Sequence, residues 1–106
     1  MPIQVREIHK YAATVHAHPV YSHIILLYGN NTDGLIGRLY FRRNVTSPPL
    51  VNHSGQITNV VLPESQYLSS IDVLRHESPV FLHSADNYAT ITTLQEPVGE
   101  GEEEGI

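Results

Sequence analysis

Residues 22–43 constrain the fold more than any other stretch, because two apolar runs there flank a six-residue turn sequence. The turn, residues 29–34, consists of Gly, Asn, Thr and Asp, which accept positive φ or form Asx turns. The flanking runs are rich in Ile, Leu, Tyr and Phe, so the segment is predicted to form a β-hairpin.

The two arms of this hairpin differ in pattern. The second arm alternates, which predicts one face against a core and one in water. Its apolar face holds Leu35, Leu39 and Phe41, and its opposite face holds Arg38, Tyr40 and Arg42. The first arm is apolar on both faces from residue 24 to residue 28, so residues 23–28 are predicted to form the middle of a sheet covered on two sides.

The negative charge of the chain is concentrated at its C-terminal end. Five of the eleven acidic residues lie within residues 96–106, and the other six balance the six Lys and Arg, so residues 1–95 are neutral overall. We expect one globular domain over residues 1–95 and a mobile acidic tail over residues 96–106. A neutral domain with an acidic tail argues against general nucleic-acid binding, which depends on neutralising phosphates.

Features that the sequence lacks also narrow the cellular location that we expect for the protein. The longest apolar run is far shorter than the roughly 20 residues that span a bilayer, and no basic start precedes an apolar segment, so we expect neither a membrane span nor a signal peptide. The chain has no cysteine, which excludes disulfides and thiol chemistry and fits a cytoplasmic protein.

The segments before and after the hairpin have less regular sequence patterns. Residues 3–17 fit a helical stripe or an alternating strand, and the strand is favoured, above all for residues 11–16, because no convincing N-cap begins a helix. Residues 44–55 hold two prolines, a glycine and small polar residues, typical of a long irregular connection that is also a candidate site. Residues 56–62 predict a short strand.

Residues 63–77 carry the pattern of an amphipathic helix. Tyr67, Leu68, Ile71 and Leu74 fall within a sector of roughly 120° at helical spacing. A proline suits the first turn, and a second proline two residues beyond the segment stops the helix. A second hairpin is then predicted.

These segments together predict an α+β fold, with a mainly antiparallel sheet of about six strands and one helix packed on it. The second hairpin pairs residues 80–84 with residues 88–94. One helix is about 10 Å wide and strands lie about 4.8 Å apart, so the helix covers only two or three strands. A partly closed barrel or a second copy must hide the remaining apolar surface, and we favour a homodimer.

Two segments resemble a pattern in small uncharacterised bacterial proteins. They are the helix end Leu-Arg-His-Glu-Ser-Pro-Val at residues 74–80 and the ending Glu-Pro-Val-Gly-Glu-Gly-Glu at residues 96–102. The resemblance covers chiefly the C-terminal third and implies one compact domain. It implies no activity and no site residue.

Histidine is the one residue type in excess, with seven in the chain. His16, His18 and His23 lie within eight residues, and in an extended chain the first two imidazoles share a face, a spacing that can hold a divalent metal. The alternative is a set of half-buried histidines bonded to backbone. That alternative is favoured, because Pro19 separates His18 from His23 and no further ligand follows at a recognisable spacing.

No motif or spacing in the sequence selects a Ser-His-Asp triad for hydrolysis, because the many serines and histidines allow several combinations. The candidates are His53, His76 and His83 with Ser22, Ser54, Ser84, Asp72 or Asp86. The chain lacks a Gly-x-Ser-x-Gly elbow and a glycine-rich phosphate loop. The sequence therefore favours a protein that is not an enzyme.

The second hairpin arm offers another possible chemistry. Arg38, Arg42 and Arg43 interleave with Tyr40, a basic and aromatic pattern that can stack bases or hold phosphate, although a solvated strand face has the same composition. We therefore favour a non-enzymatic interaction or regulatory module that self-associates. The alternatives are a metal-binding protein or metal-dependent enzyme, an anion or nucleic-acid binder, and a receptor for an unknown small ligand or protein partner.

Overall fold

The computed structural model describes residues 4–15, 18–30, 32, 34–43 and 50–93. These residues form eight strands, one 3₁₀ turn and one α-helix, which confirms the predicted α+β class. The strands are β1 Gln4–Ile8, β2 Lys10–Val15, β3 Tyr21–Tyr28, β4 Leu35–Arg42, β5 Leu50–Ser54, β6 Ile57–Pro63, β7 Val80–Ser84 and β8 Ala89–Thr92. The 3₁₀ turn, Glu64–Gln66, leads into α1, Tyr67–His76.

The strands form two sheets, where the sequence predicted one sheet of about six strands. The larger sheet has the order β2-β3-β4-β6-β5 and the smaller one β1-β7-β8. Every neighbouring pair is antiparallel except β4 and β6, which are parallel. The strand prediction for residues 3–17 is confirmed over the described residues 4–8 and 10–15. At His9 the chain passes from the small sheet into the large one, where the His9 amide donates to the Tyr28 carbonyl at 2.8 Å.

The predicted hairpin is the antiparallel pair of β3 and β4. Its turn closes where the Gly29 amide donates to the Gly34 carbonyl at 2.8 Å. β3 is an interior strand, paired with β2 and β4, so residues 23–28 lie inside the sheet as predicted, although the central strand is β4. Ile25 is fully buried while Ile24 is only half-buried, so β3 is covered fully on one side.

The predicted irregular connection over residues 44–55 is in part a strand. β5 pairs antiparallel with β6 across a tight turn at Gly55, whose φ of +63° suits glycine. Alternate β5 side chains point toward the core side, which gives this short polar segment enough contact to form a strand. Residues 44–49 lie outside the described residues.

The predicted helix and second hairpin are both confirmed, but Leu68 of the predicted apolar stripe is 73% exposed. The first turn of the helical segment is 3₁₀, Pro63 precedes it in extended conformation, and Arg75 and His76 lie in the last turn of α1. In the second hairpin, β7 pairs with β8. No helix among the described residues has the length and apolar character needed to cross a bilayer.

The core lies between one face of the large sheet and the small sheet with α1. Its buried side chains come from both sheets and are Ile8, Ile25, Leu27, Ile36, Leu39, Phe41, Val60, Val80 and Leu82. Tyr67, Ile71 and Leu74 of α1 pack against them. The apolar surface that one helix cannot cover is therefore largely covered by a second sheet of the same chain.

Candidate functional site

The outer face of the large sheet is the side turned away from the core. Leu39 and Phe41 of β4 are buried on the core side, so the residues that alternate with them point outward. Register then places Ile24 beside Tyr40 and Leu26 beside Arg38. The central members of this outer face are Tyr21, Ile24, Leu26, Arg38, Tyr40 and Arg42.

Three aromatic rings lie in contact on the outer face. The ring centroids of Tyr21 and Tyr40 are 5.2 Å apart, and the His18 imidazole stacks on Tyr21 with centroids 5.6 Å apart. Arg38 Nη1 donates to the Tyr40 hydroxyl at 3.4 Å. Because Tyr21 is on β3 and Tyr40 is on β4, these rings form a row across the hairpin. On β4, the Tyr40 ring lies between Arg38 and Arg42 in the sequence.

The large sheet carries charge of one sign, whereas the other side of the fold carries both signs, with Arg6 on β1 and Arg75 on α1. The strands of the large sheet contain Lys10, Arg38 and Arg42 and no carboxylate. The described carboxylates lie on β1, on the helical segment and the residue after it, and in the β7–β8 turn, at Glu7, Glu64, Asp72, Glu77 and Asp86. A face lined by one sign of charge produces a positive local potential although residues 1–95 sum to zero.

The structure brings together most of the predicted anion-binding set. Arg38, Tyr40 and Arg42 share the outer face. Arg43 follows β4, and its Nε donates to the His18 carbonyl at 3.1 Å, so Arg43 contacts the loop that precedes β3. Sequence patterning missed Lys10 and Tyr21, which come from other strands. Only the pairing of β2 and β4 with β3 places them beside the predicted residues.

The predicted metal-binding histidines separate. His18 Nδ1 accepts the amides of Val20 at 3.0 Å and Tyr21 at 3.4 Å, and its ring lies with Tyr21 on the outer side. The His23 ring stacks on Tyr67 of α1 at 3.8 Å between centroids, on the core side. His16 lies outside the described residues, in which no group of three His, Cys, Asp or Glu side chains could hold a metal.

His53 joins the two sheets through a chain of hydrogen bonds. Its Nε2 is 2.7 Å from the Ala85 carbonyl oxygen, which can only accept, so Nε2 carries the proton. In the neutral imidazole, Nδ1 then accepts from the Thr58 hydroxyl at 3.2 Å. Arg6 Nη2 in turn donates to that hydroxyl at 3.2 Å. These hydrogen bonds link, in order, the Arg6 guanidinium, the Thr58 hydroxyl, the His53 imidazole and the Ala85 carbonyl.

This arrangement does not present a nucleophile. Thr58 is only 1% exposed, so no substrate reaches its hydroxyl. Among the other predicted hydrolytic residues, Ser22 donates to the Phe41 carbonyl at 3.3 Å, and His83 Nε2 lies 3.2 Å from the Tyr88 hydroxyl. These described side chains serve packing and turns, and their geometry does not place a nucleophile, a base and an orienting group around an open site.

A polar cleft of about 440 Å³ lies where β1 meets β2 beside the end of α1. Its size suits a small molecule. Its polar lining residues are His9, Tyr11, Arg75, Glu77 and Ser78, together with Lys10, whose ammonium group extends to the Tyr28 ring. His9 Nε2 is 3.6 Å from Glu7 Oε1, an exposed pair in which both partners are available to solvent. The walls come from segments about 65 residues apart in sequence, so no local pattern could predict the cleft.

No protein-family model, curated protein or solved structure matches this chain.

Proposed function

We propose that this protein is a small non-enzymatic interaction module that self-associates as a homodimer through the free edge of β2. The absence of cysteine suits such a role in the cytoplasm. The observation that carries the proposal is the exposure of β2, where Tyr11 alone is half-buried and Val15 is 78% exposed. An edge strand presents unpaired N–H and C=O groups, which are a template for another strand.

The other sheet edges are better protected. β1 carries the charged side chains Arg6 and Glu7, and β8 has four residues. β5 follows two consecutive prolines in the sequence, residues that natural edges use against unwanted pairing. β2 has a single charge, Lys10, at its first position, and it contains no proline. It is therefore the least defended edge among the described strands.

The sequence of β2 also permits two-fold pairing with itself. In an antiparallel pair, directly opposed residues share a face, so a two-fold axis normal to the sheet passes midway between one residue and its own copy on the partner strand, and that residue is called here the residue on the axis. The two central residues, Ala12 and Ala13, are both small enough for that position. With Ala12 on the axis Lys10 opposes Thr14, and with Ala13 on the axis Tyr11 opposes Val15. Neither register opposes like charges.

The resulting dimer has one continuous sheet of ten strands. Because the axis is normal to the sheet, both outer faces lie on the same side and form one extended surface. The smaller sheet and α1 of each copy remain on the other side and keep their core contacts. Dimerisation then requires no rearrangement of either protomer.

Sedimentation equilibrium of the wild-type protein and single lysine variants tests the proposal. Ala12→Lys and Ala13→Lys place charge at the centre of the β2 edge, and whichever residue lies on the axis then opposes its own copy. We expect at least that variant to weaken dimerisation by about tenfold or more. Leu68→Lys is the matched control, because it adds the same charge on α1 at a position that is 73% exposed.

Two results would overturn the proposal. One is a wild-type protein that stays monomeric at its highest soluble concentration. The other is a dimer whose affinity neither alanine variant changes. Circular dichroism and thermal unfolding of each variant show that a change in mass reflects association and not loss of the fold.

A further inference from the structure

We propose that the outer face binds single-stranded nucleic acid, with phosphates held by Lys10, Arg38 and Arg42 and bases stacked on Tyr21 and Tyr40. The proposal concerns a different surface from the β2 edge and does not depend on the dimer. It rests on three features of the described strands: charge, ring geometry and spacing.

The charge of the outer face complements phosphate. Lys10, Arg38 and Arg42 all lie there by register, and the five strands of the sheet contain no Asp or Glu to compete for them. Lys10 extends over the Tyr28 ring, with its Nζ 5.8 Å from the centroid, so this cation is also placed beside an aromatic surface. Phosphate contacts of this kind supply most of the affinity for a nucleic-acid strand without sequence preference.

The rings supply surfaces for bases. Tyr21 and Tyr40 are half-buried, so their ring positions are held by the sheet while part of each ring is open to solvent. Their planes are tilted by 48°, and His18 stacks on Tyr21 with planes 28° apart. Stacking on aromatic side chains tolerates any base, because every base has a flat π surface.

The spacing along β4 alternates cation and ring. Arg38, Tyr40 and Arg42 are two residues apart, which is about 6.6 Å per step on an extended strand. Each nucleotide carries its base as a branch from the sugar-phosphate backbone, so a single strand lying along β4 offers phosphates to the guanidinium groups of Arg38 and Arg42 and a base to the Tyr40 ring between them. A duplex keeps its bases stacked inside and cannot offer them to these rings.

The apolar residues beside the rings also suit a base or a sugar. Ile24 and Leu26 are half-buried beside Tyr40 and Arg38, and they form a flat floor without a competing carboxylate. A bare polyanion would use the cations alone and gain nothing from this floor or from the tyrosines. Dependence on the rings therefore distinguishes nucleic acid from a general anion site.

Fluorescence anisotropy with labelled oligothymidylate and oligouridylate of about 12 nucleotides tests the proposal. Titrations of the full chain begin at low salt and are repeated at increasing salt. We expect saturable binding to both oligonucleotides and weaker binding to a duplex of equal length. Tyr40→Leu should weaken binding by at least about fivefold, while Tyr40→Phe, which keeps the ring, should bind like the wild type.

The charge contribution has its own variants. Arg38→Gln combined with Arg42→Gln should reduce the slope of log affinity against log salt by about 1.4, because each phosphate contact on a single strand contributes about 0.7. Arg75→Gln is the matched control, because it removes one exposed cation on α1, away from the outer face.

Three outcomes would overturn the proposal. The first is a flat titration with both oligonucleotides at low salt. The second is binding that Tyr40→Leu leaves unchanged and that heparin, a polyanion without bases, reproduces, since this would show a general anion surface. The third is a loss with Arg75→Gln that equals, per charge removed, the loss with the Arg38 and Arg42 double variant, since binding would then follow net charge alone.

Discussion

Leu82 of β7 fills the space directly above Gly37 of β4. A Cβ added to Gly37 would lie 3.1 Å from Leu82 Cδ2 and 3.2 Å from the Thr58 carbonyl oxygen. Leu82 is 1% exposed, so its side chain has little room to move. The absence of a side chain at Gly37 thus allows the small sheet to approach the large one closely, and this contact helps cover the core face that α1 leaves open.

Gly37→Ala should lower the free energy of unfolding by about 1–3 kcal/mol, because the new methyl group overpacks a site bounded by a buried side chain and a ladder carbonyl. The lower chain entropy of alanine in the unfolded state offsets about 0.4–1 kcal/mol of that cost. Urea denaturation measures the difference. The cost should shrink when Leu82→Ala is already present, and a Gly37→Ala protein as stable as wild type would contradict the close contact.

Thr58→Val should destabilise the protein by about 1–3 kcal/mol, because it removes the hydroxyl that accepts from Arg6 and donates to His53 inside the fold. Thr90→Val on β8 is the control, since Thr90 is exposed and its substitution should change stability by no more than about 0.5 kcal/mol. A double-mutant cycle with His53→Ala should give a coupling energy of about 0.5–3 kcal/mol. Strict additivity would show that the hydrogen-bond chain does not act as a unit.

Ser84→Ala should leave stability unchanged or raise it by about 1 kcal/mol. Ser84 is 1% exposed, and its hydroxyl has no hydrogen-bond partner among the described residues, so the substitution removes a buried polar group that makes no compensating bond. Ser22→Ala provides the contrast, because Ser22 is equally buried but donates to the Phe41 carbonyl. It should cost about 1 kcal/mol in thermal or chemical denaturation. The reverse order of the two variants would contradict this assignment.

His23→Ala should lower stability by about 1 kcal/mol through loss of the stacked contact with Tyr67. It should leave the metal content of the purified protein unchanged, because the His23 ring faces α1 while the His18 ring lies on the opposite side of the sheet. Elemental analysis alongside denaturation checks both statements. Stoichiometric zinc, nickel or iron that His23→Ala removes would show that the histidines converge after all.

The elements that could be predicted from sequence are those specified by local patterns. The β3–β4 hairpin follows from two apolar runs around a turn sequence, and α1 follows from apolar spacing between two prolines. β5 was missed because Leu50–Ser54 is short and polar, and its strand conformation depends on pairing with β6. The break at His9 was missed because β1 and β2 have the same local preference and differ only in their partners.

The candidate binding face was predictable only along one strand. Alternation in β4 placed Arg38, Tyr40 and Arg42 together, whereas Lys10 and Tyr21 join them through pairing with β3. Summing the charge of residues 1–95 to zero argued against nucleic acid, but that sum carries no information about which side of a sheet each charge occupies. The absence of carboxylates from the strands of the large sheet becomes a property of one surface only when the small sheet and α1 pack on the other face.

By itself, the sequence determined the class of the fold and the position of each strong local element, because hydrophobic period, turn residues and prolines act within a few residues of the chain. Only the tertiary structure decided that β1 and β2 enter different sheets, that β4 is central, and that His18 and His23 lie on opposite sides. These outcomes depend on contacts between residues far apart in sequence, such as Gly37 with Leu82 and His53 with Ala85. The physical reason is that side-chain burial and strand pairing stabilise the fold as a whole, whereas a local sequence pattern indicates only the conformational preference of one segment.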